Sequence, residues 1–183
     1  MLAHPTRPAL AVVAAALLAA VTVGVLALGA GAAAPGVESA AVKKATPKGV
    51  GAVKLGRTYR NLRGRGLIGP IRRGCPLGGP RTRAARLLPP LRGNVDFTLR
   101  KPRRVRNITV NHGAEARGVG IGDTIADIRA AYPRAKVNRS TEDTFGITLV
   151  RIPKRGGGRI HFAVSVRTER ITLIGVPFVG FCE

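Results

Sequence analysis

The sequence predicts an α+β domain, with two helix-hairpin repeat units on one antiparallel sheet in a single compact domain. Three observations lead there: an internal near-repeat, a capping signature in front of each short amphipathic stretch, and runs of alternating apolar residues. Val53-Lys54-Leu55-Gly56-Arg57-Thr58-Tyr59-Arg60-Asn61-Leu62-Arg63 aligns without a gap on Val119-Gly120-Ile121-Gly122-Asp123-Thr124-Ile125-Ala126-Asp127-Ile128-Arg129, an offset of 66 residues. Arg104-Val105 with Ile108 and Val110 matches Arg170-Ile171 with Ile174 and Val176 at the same offset, and Val95-Asp96-Phe97 resembles Ile160-His161-Phe162 at one residue less. Separate stretches agreeing at nearly one offset are the mark of an internal duplication. The expected units run from about 51 to 112 and from about 117 to 178.

Taken in chain order, residues 1–34 read as a signal peptide or an N-terminal anchor. From Ala9 to Ala34 nothing is charged, and Ala30-Gly31-Ala32-Ala33-Ala34 offers the small side chains that a signal peptidase needs. The run is also long enough to span a bilayer, and Lys43, Lys44 and Lys48 follow it, so an uncleaved anchor is the alternative. Either way the expected location is secreted or extracytoplasmic. Residues 35–50 have no hydrophobic period and read as a flexible spacer.

The first helix is expected to open at Thr58, with Tyr59 and Leu62 as its apolar stripe and Gly64 and Gly66 as its end. Its counterpart opens at Thr124, with Asp127 three residues on as in a capping box. Ile125, Ile128 and Tyr132 form its stripe, and Pro133 stops it. Strands are expected from Val95 to Leu99, Val105 to Val110, Phe145 to Ile152, Ile160 to Val166 and Arg170 to Val176. In the fourth, Ile160, Phe162, Val164 and Val166 point one way while His161, Ala163 and Ser165 point the other. Gly156-Gly157-Gly158 then reads as a hairpin connection, and Gly118 to Gly122 as a strand-to-helix turn.

The pattern Leu/Ile-Gly-x-Thr opening a short helix, at Leu55-Gly56-Arg57-Thr58 and again at Ile121-Gly122-Asp123-Thr124, resembles the tandem-repeat fold of the secreted beta-lactamase inhibitory protein. It is similar also to the single unit of the BamE (SmpA) family of outer-membrane assembly lipoproteins. The resemblance covers about residues 50–182 and implies helices packed on a curved antiparallel sheet. The tail Phe181-Cys182-Glu183 resembles that of secreted proteins of high-GC Gram-positive bacteria. The chain lacks the inhibitor's aromatic-rich concave face, having no Trp and two Tyr, so no inhibitory residue carries over.

Two cysteines, Cys75 and Cys182, both follow the apolar N-terminal run, and in an oxidising compartment they allow a single intramolecular disulfide. Net charge is +22, unevenly spread: residues 54–106 carry 16 Lys and Arg against one acid, Asp96. Such a field favours polyanions and acidic proteins. Arg57, Arg60 and Arg63 recur along the first helix, and Arg72 and Arg73 follow in the next loop; together they are the candidate anion-binding face. No aromatic residues interleave with them to stack bases, and export argues further against nucleic acid. The expected partners are an anionic envelope polymer or an acidic protein, with membrane contact only through an uncleaved N-terminal segment. The bland alternative is a solvated basic surface.

Catalytic groups are sparse. Only His112 and His161 remain once His4 leaves with the signal, and two histidines without thiolates or spaced carboxylates fall short of the three or four ligands that zinc requires. Ser165, His161 and Asp96 compose a triad on paper, with no nucleophile elbow to support it. No catalytic residue, metal or cofactor is assigned. The expected function is an exported, non-enzymatic binding or cell-envelope-associated protein; the alternative is a small secreted hydrolase.

Overall fold

The computed structural model describes residues 41–75, 82–154 and 158–181. All belong to the second of the two units into which the chain divides, Glu38–Glu183. The expected signal or anchor at 1–34 lies outside them, as do Cys182 and most of the Gly156 to Gly158 connection. Among the described residues no helix is long and apolar enough to cross a membrane.

In chain order the elements are β1 (Lys43–Thr46), β2 (Gly49–Val50), β3 (Val53–Lys54), α1 (Tyr59–Gly64), β4 (Arg72–Arg73), β5 (Arg83–Arg86), β6 (Arg92–Phe97), β7 (Val105–His112), β8 (Ala114–Ala116) and β9 (Val119–Gly120). They continue as α2 (Ile125–Ala131), β10 (Lys136–Asn138), α3 (Glu142–Phe145), β11 (Ile147–Pro153), β12 (Arg159–Ser165) and β13 (Ile171–Val176). Strands β3-β2-β1-β8-β9 form a five-stranded sheet, and β10-β11-β12-β13-β7-β6-β5-β4 an antiparallel sheet of eight.

The expected fold class is therefore corrected: the domain is mostly β, built on two sheets, and two helix-hairpin units on one sheet do not describe it. The physical reason lies in element length. Helices α1, α2 and α3 have 6, 7 and 4 residues, too few to form a helical layer of their own. The cover they would have made is supplied by the second sheet. Residues 43–50, expected in the spacer, supply β1 and β2, with Ala45 and Val50 in the core. Strand β1 pairs antiparallel with β2 but parallel with the distant β8, through Lys43↔Ala114 and Lys44↔Glu115. A partner so far along the chain leaves no local pattern to read.

The core forms between the two sheets and the helices. Val50, Val53, Ala116 and Val119 from the smaller sheet share one buried cluster with Val95, Ile108, Phe162 and Ile174 from the larger. Leu62 of α1 and Ile128 of α2 are fully buried in it. Strand alternation sets these faces: Ile160, Phe162 and Val164 point into the core, and His161 and Ser165 away from it. Val166, expected on the inner face, lies just past the end of β12 and is exposed.

Backbone hydrogen bonds recur at the offset of 66 residues. Gly56 N donates to Val105 O and Val105 N to Arg57 O; Gly122 N donates to Ile171 O and Ile171 N to Asp123 O. The β2–β3 register, Gly49↔Lys54 and Val50↔Val53, has its counterpart in β8–β9 as Glu115↔Gly120 and Ala116↔Val119. Even side chains follow: Arg104 Nη1 donates to Gly56 O at 3.0 Å and Arg170 Nη1 to Gly122 O at 3.2 Å. Gly56 (φ 78°) and Gly122 (φ 96°) adopt the left-handed backbone that the Leu/Ile-Gly-x-Thr pattern requires before each helix cap. The β6–β7 register shift between Asp96 and Phe97 matches the β12–β13 shift between Ala163 and Val164. Val95 thus occupies the rung of Phe162, not of Ile160, which corrects the local sequence match by two residues.

The two halves meet at β7 and β13, through Val110↔Ile174, Thr109↔Gly175 and Ile108↔Val176. Because Ile108, Thr109 and Val110 correspond to Ile174, Gly175 and Val176, the seam is self-complementary, as in an isologous dimer interface. Residues 177–181 then cross the outer face of the larger sheet. Phe178 N donates to Asn107 Oδ1 at 3.3 Å and Gly180 N to Thr109 Oγ1 at 3.1 Å. Gly175 permits this path, since a Cβ there would collide with the Phe178 carbonyl. Val179 and Phe181 cover Ala163, Leu173 and Leu149 on that face, and Phe181 stacks on Phe145 at 4.6 Å.

Helix caps give the first test. Thr124 and Asp127 form a reciprocal box, with Asp127 N donating to Thr124 Oγ1 and Thr124 N to Asp127 Oδ2. Thr58 accepts from Asn61 N alone. Thr124→Ala is expected to lower unfolding free energy by about 0.5–2 kcal/mol, and Thr58→Ala by less, in denaturant titrations. Equal losses, or none at Thr124, would contradict the cap assignment.

Candidate functional site

The five arginines of the expected anion face divide into two groups. Arg57 precedes the α1 cap, Arg60 and Arg63 lie on α1, and Arg72 and Arg73 form β4 at the edge of the larger sheet; all five are exposed. Tyr59 Oη accepts from Ile71 N at 3.2 Å, tying α1 to the entry of β4. Two of the five are engaged within the fold. Arg63 Nη1 donates to Ile68 O at 3.1 Å, and Arg72 Nη2 donates to Asn94 Oδ1. Arg57, Arg60 and Arg73 make no side-chain hydrogen bond or ion pair with other described residues. Arg73 stands opposite Arg83 in the β4–β5 ladder, and the Arg83 guanidinium donates to Thr82 O at 3.0 Å.

Behind β4, on the outer face, lies a polar cluster. Asn107 Nδ2 donates to Asp96 Oδ2 and to Thr109 Oγ1, both at 3.2 Å, and Asn107 and Thr109 are almost fully buried beneath residues 178–180. Burial pushes the Asp96 carboxyl up, while the Asn107 hydrogen bond and the Arg106 and Arg72 charges pull the other way. Each member has a partner within the fold, so the cluster serves to seat the C-terminal segment. His161 lies on the same outer face of β12. Burial pushes its pKa down, and Arg151 and Arg159 add to the effect, so it is neutral near pH 7; its Nε2 is buried without a hydrogen-bond partner among the described residues. The paper triad is not assembled: Asp96 is on β6, with β13 and β7 between it and the β12 residues His161 and Ser165.

A concave feature lies elsewhere. A cavity of about 470 Å³ opens between the end of β1 with the residue after it (Ala45 to Pro47), the β8–β9 turn (Arg117), the segment after α2 (Tyr132 to Arg134) and the facing ends of β11 and β12. Ile152 and Ile160 belong to its apolar wall, and Arg117, Arg134 and Lys154 are its charged groups; among the described residues no acid lines it. The Arg117 guanidinium sits 5.2 Å from the centroid of the Tyr132 ring, within cation–π range. Arg117 reaches that position from φ 53°, a left-handed backbone that a non-glycine residue adopts at a cost. Burial pushes the Tyr132 hydroxyl up, against the pull of Arg117.

Sequence reasoning missed this cavity, treating Tyr132 as a core stripe residue and Pro133 as a helix stop. The signal available was the contrast between halves at matching positions. Where the second half has Pro133-Arg134, the first has Leu67-Ile68; where it has Pro153-Lys154, the first has Leu88-Pro89. In the first half Ile68 bridges Leu87, both of them buried, and Leu88 N donates to Leu67 O, with Leu67 half-buried against the core. Of the expected disulfide, Cys75 lies near the end of β4, where its carbonyl accepts from Thr82 Oγ1 at 2.9 Å, and Cys182 is outside the described residues. No described cysteine is free.

Comparison with known protein families, with characterised proteins and with solved structures finds no match to this chain.

The neutral, half-buried His161 ties stability to pH. Its folded pKa lies below the unfolded value near 6.5, so the unfolded state binds more protons as pH falls, and stability drops on acidification through that value. Melting temperatures between pH 8 and pH 5.5 are expected to fall for the wild type and to fall less for His161→Gln. Superimposable slopes would show that His161 ionises freely in the folded protein.

Proposed function

We propose that this chain is an exported, non-enzymatic binding protein that holds an anionic polymer of the cell envelope through the arginines around α1 and β4. The exposed, unengaged guanidinium groups of Arg57, Arg60 and Arg73 on one structural unit carry this reading. Sixteen basic residues against Asp96 alone in the 54–106 segment leave the first half strongly electropositive. Arg63 and Arg72 serve mainly to brace the loop at Ile68 and the β6 side chain Asn94.

The Cys75–Cys182 bridge belongs to this proposal, since an exported domain whose C-terminal segment rests on a few hydrogen bonds gains from a covalent tie. A loop of that size restricts the unfolded chain by about 4–5 kcal/mol on the chain-entropy model. Native protein is expected to titrate no thiol, and reduction to lower the melting temperature. Two reactive thiols per native chain would remove the bridge.

Binding to poly(glycerol phosphate) is expected at low salt and to weaken steeply as salt rises, through counterion release. Arg57→Ser, Arg60→Ser and Arg73→Ser combined should weaken it, whereas Arg151→Ser with Arg159→Ser should change it much less. Equal losses from both sets would mean that diffuse net charge is responsible. Absence of binding at low salt would refute the polymer reading.

A further inference from the structure

We infer that the cavity beside Tyr132 is a binding site for a free medium-chain alkyl carboxylate, separate from the arginine face and independent of what that face binds. Its shape and chemistry point to such a ligand. The volume, about 470 Å³, lies within the range of small-molecule sites. One part of the wall is aliphatic, from Ala45, Pro47, Ile152 and Ile160, which suits an alkyl body. Arg117, Arg134 and Lys154 stand at the lining with no acid beside them among the described residues, which suits a single anionic head. A cationic or uncharged apolar compound of the same length would leave these charges unanswered.

Two further observations indicate that the opening is specific to this place. The first is the comparison with the other half, where Ile68 and Leu87 are buried in the core and Leu67 packs against it. The second half departs from that arrangement by placing Arg134 and Lys154 where the first has Ile68 and Pro89. The second is Arg117. A residue at φ 53° between β8 and β9 is a position where glycine would be more stable, yet the guanidinium held there stands over the Tyr132 ring at the cavity wall. Backbone strain that places a charged group at a cavity is a pattern of ligand sites.

The chain has no Trp and two Tyr, so Tyr132 gives an intrinsic fluorescence signal, and calorimetry gives stoichiometry. Decanoate is expected to bind one per chain, at least tenfold more tightly than decanol or decylamine. Arg117→Gly should weaken decanoate binding at least tenfold while the melting temperature holds or rises, because glycine relieves the backbone and removes the head-group contact. Arg134→Gln should weaken decanoate binding without changing that of decanol, and Arg60→Ser should leave both unchanged. Comparable binding of all three ligands, or an Arg117→Gly protein that binds decanoate as the wild type does, would overturn the inference. So would a lowered melting temperature in Arg117→Gly, which would make Arg117 a structural brace for Tyr132.

Discussion

Three rungs between β7 and β13 hold the larger sheet together. Without Val110↔Ile174, Thr109↔Gly175 and Ile108↔Val176, the eight strands would separate into two four-stranded sheets, each with a long unprotected edge. The seam also places the buried residues of both halves in one cluster, so that neither half has a complete core alone. Its centre is where the two equivalent positions differ most in use. Gly175 is bare, so that the chain can turn back over it, and Thr109 supplies the oxygen that receives Gly180 N. The C-terminal segment is thus a clamp laid across the junction, and a covalent tie from Cys182 to Cys75 would extend that clamp toward the far edge of the sheet.

Around this axis the halves share a backbone and divide their surfaces. Glycine turns, helix caps and strand registers coincide at an offset of 66 residues, because they satisfy the same buried amides and carbonyls. Side chains outside that frame are free to diverge. The first half places Leu67 and the buried Ile68 at one flank and gathers arginines outside it; the second has Pro133 and Arg134 at the corresponding positions, at the wall of the cavity beside Tyr132. The proposed polymer face and the proposed carboxylate site are two uses of one scaffold.

How much of this was legible follows from element length. β6, β7, β11, β12 and β13 have six to eight residues with visible alternation, and the expected strands fall on them within a few residues. Both caps were legible because Thr58 and Thr124 act on residues three positions away. The smaller sheet was not. Its strands have two to four residues and its central pairing joins Lys43 to Ala114, so short Gly- and Ala-containing pieces read as spacer and turn. That omission changed the fold class, since two short helices were left as the only visible cover for the larger sheet. The anion face was legible as composition, but which arginines the fold engages depends on contacts such as Arg63 to Ile68 O. The cavity was hidden because it arises where side chains fail to fill space.

Native-state hydrogen exchange at single-residue resolution tests the central claim, that the β7–β13 seam makes both halves one cooperative unit. Amides of Ile108, Val110, Ile174 and Val176, with those of the neighbouring rungs in β6 and β12, are expected to exchange only through global unfolding, with one common free energy across both halves. If β10 to β13 exchanged through a separate opening, at a free energy well below that of β4 to β7, the halves would be independent folding units. The seam would then be a contact between them and not the constraint on which the fold depends.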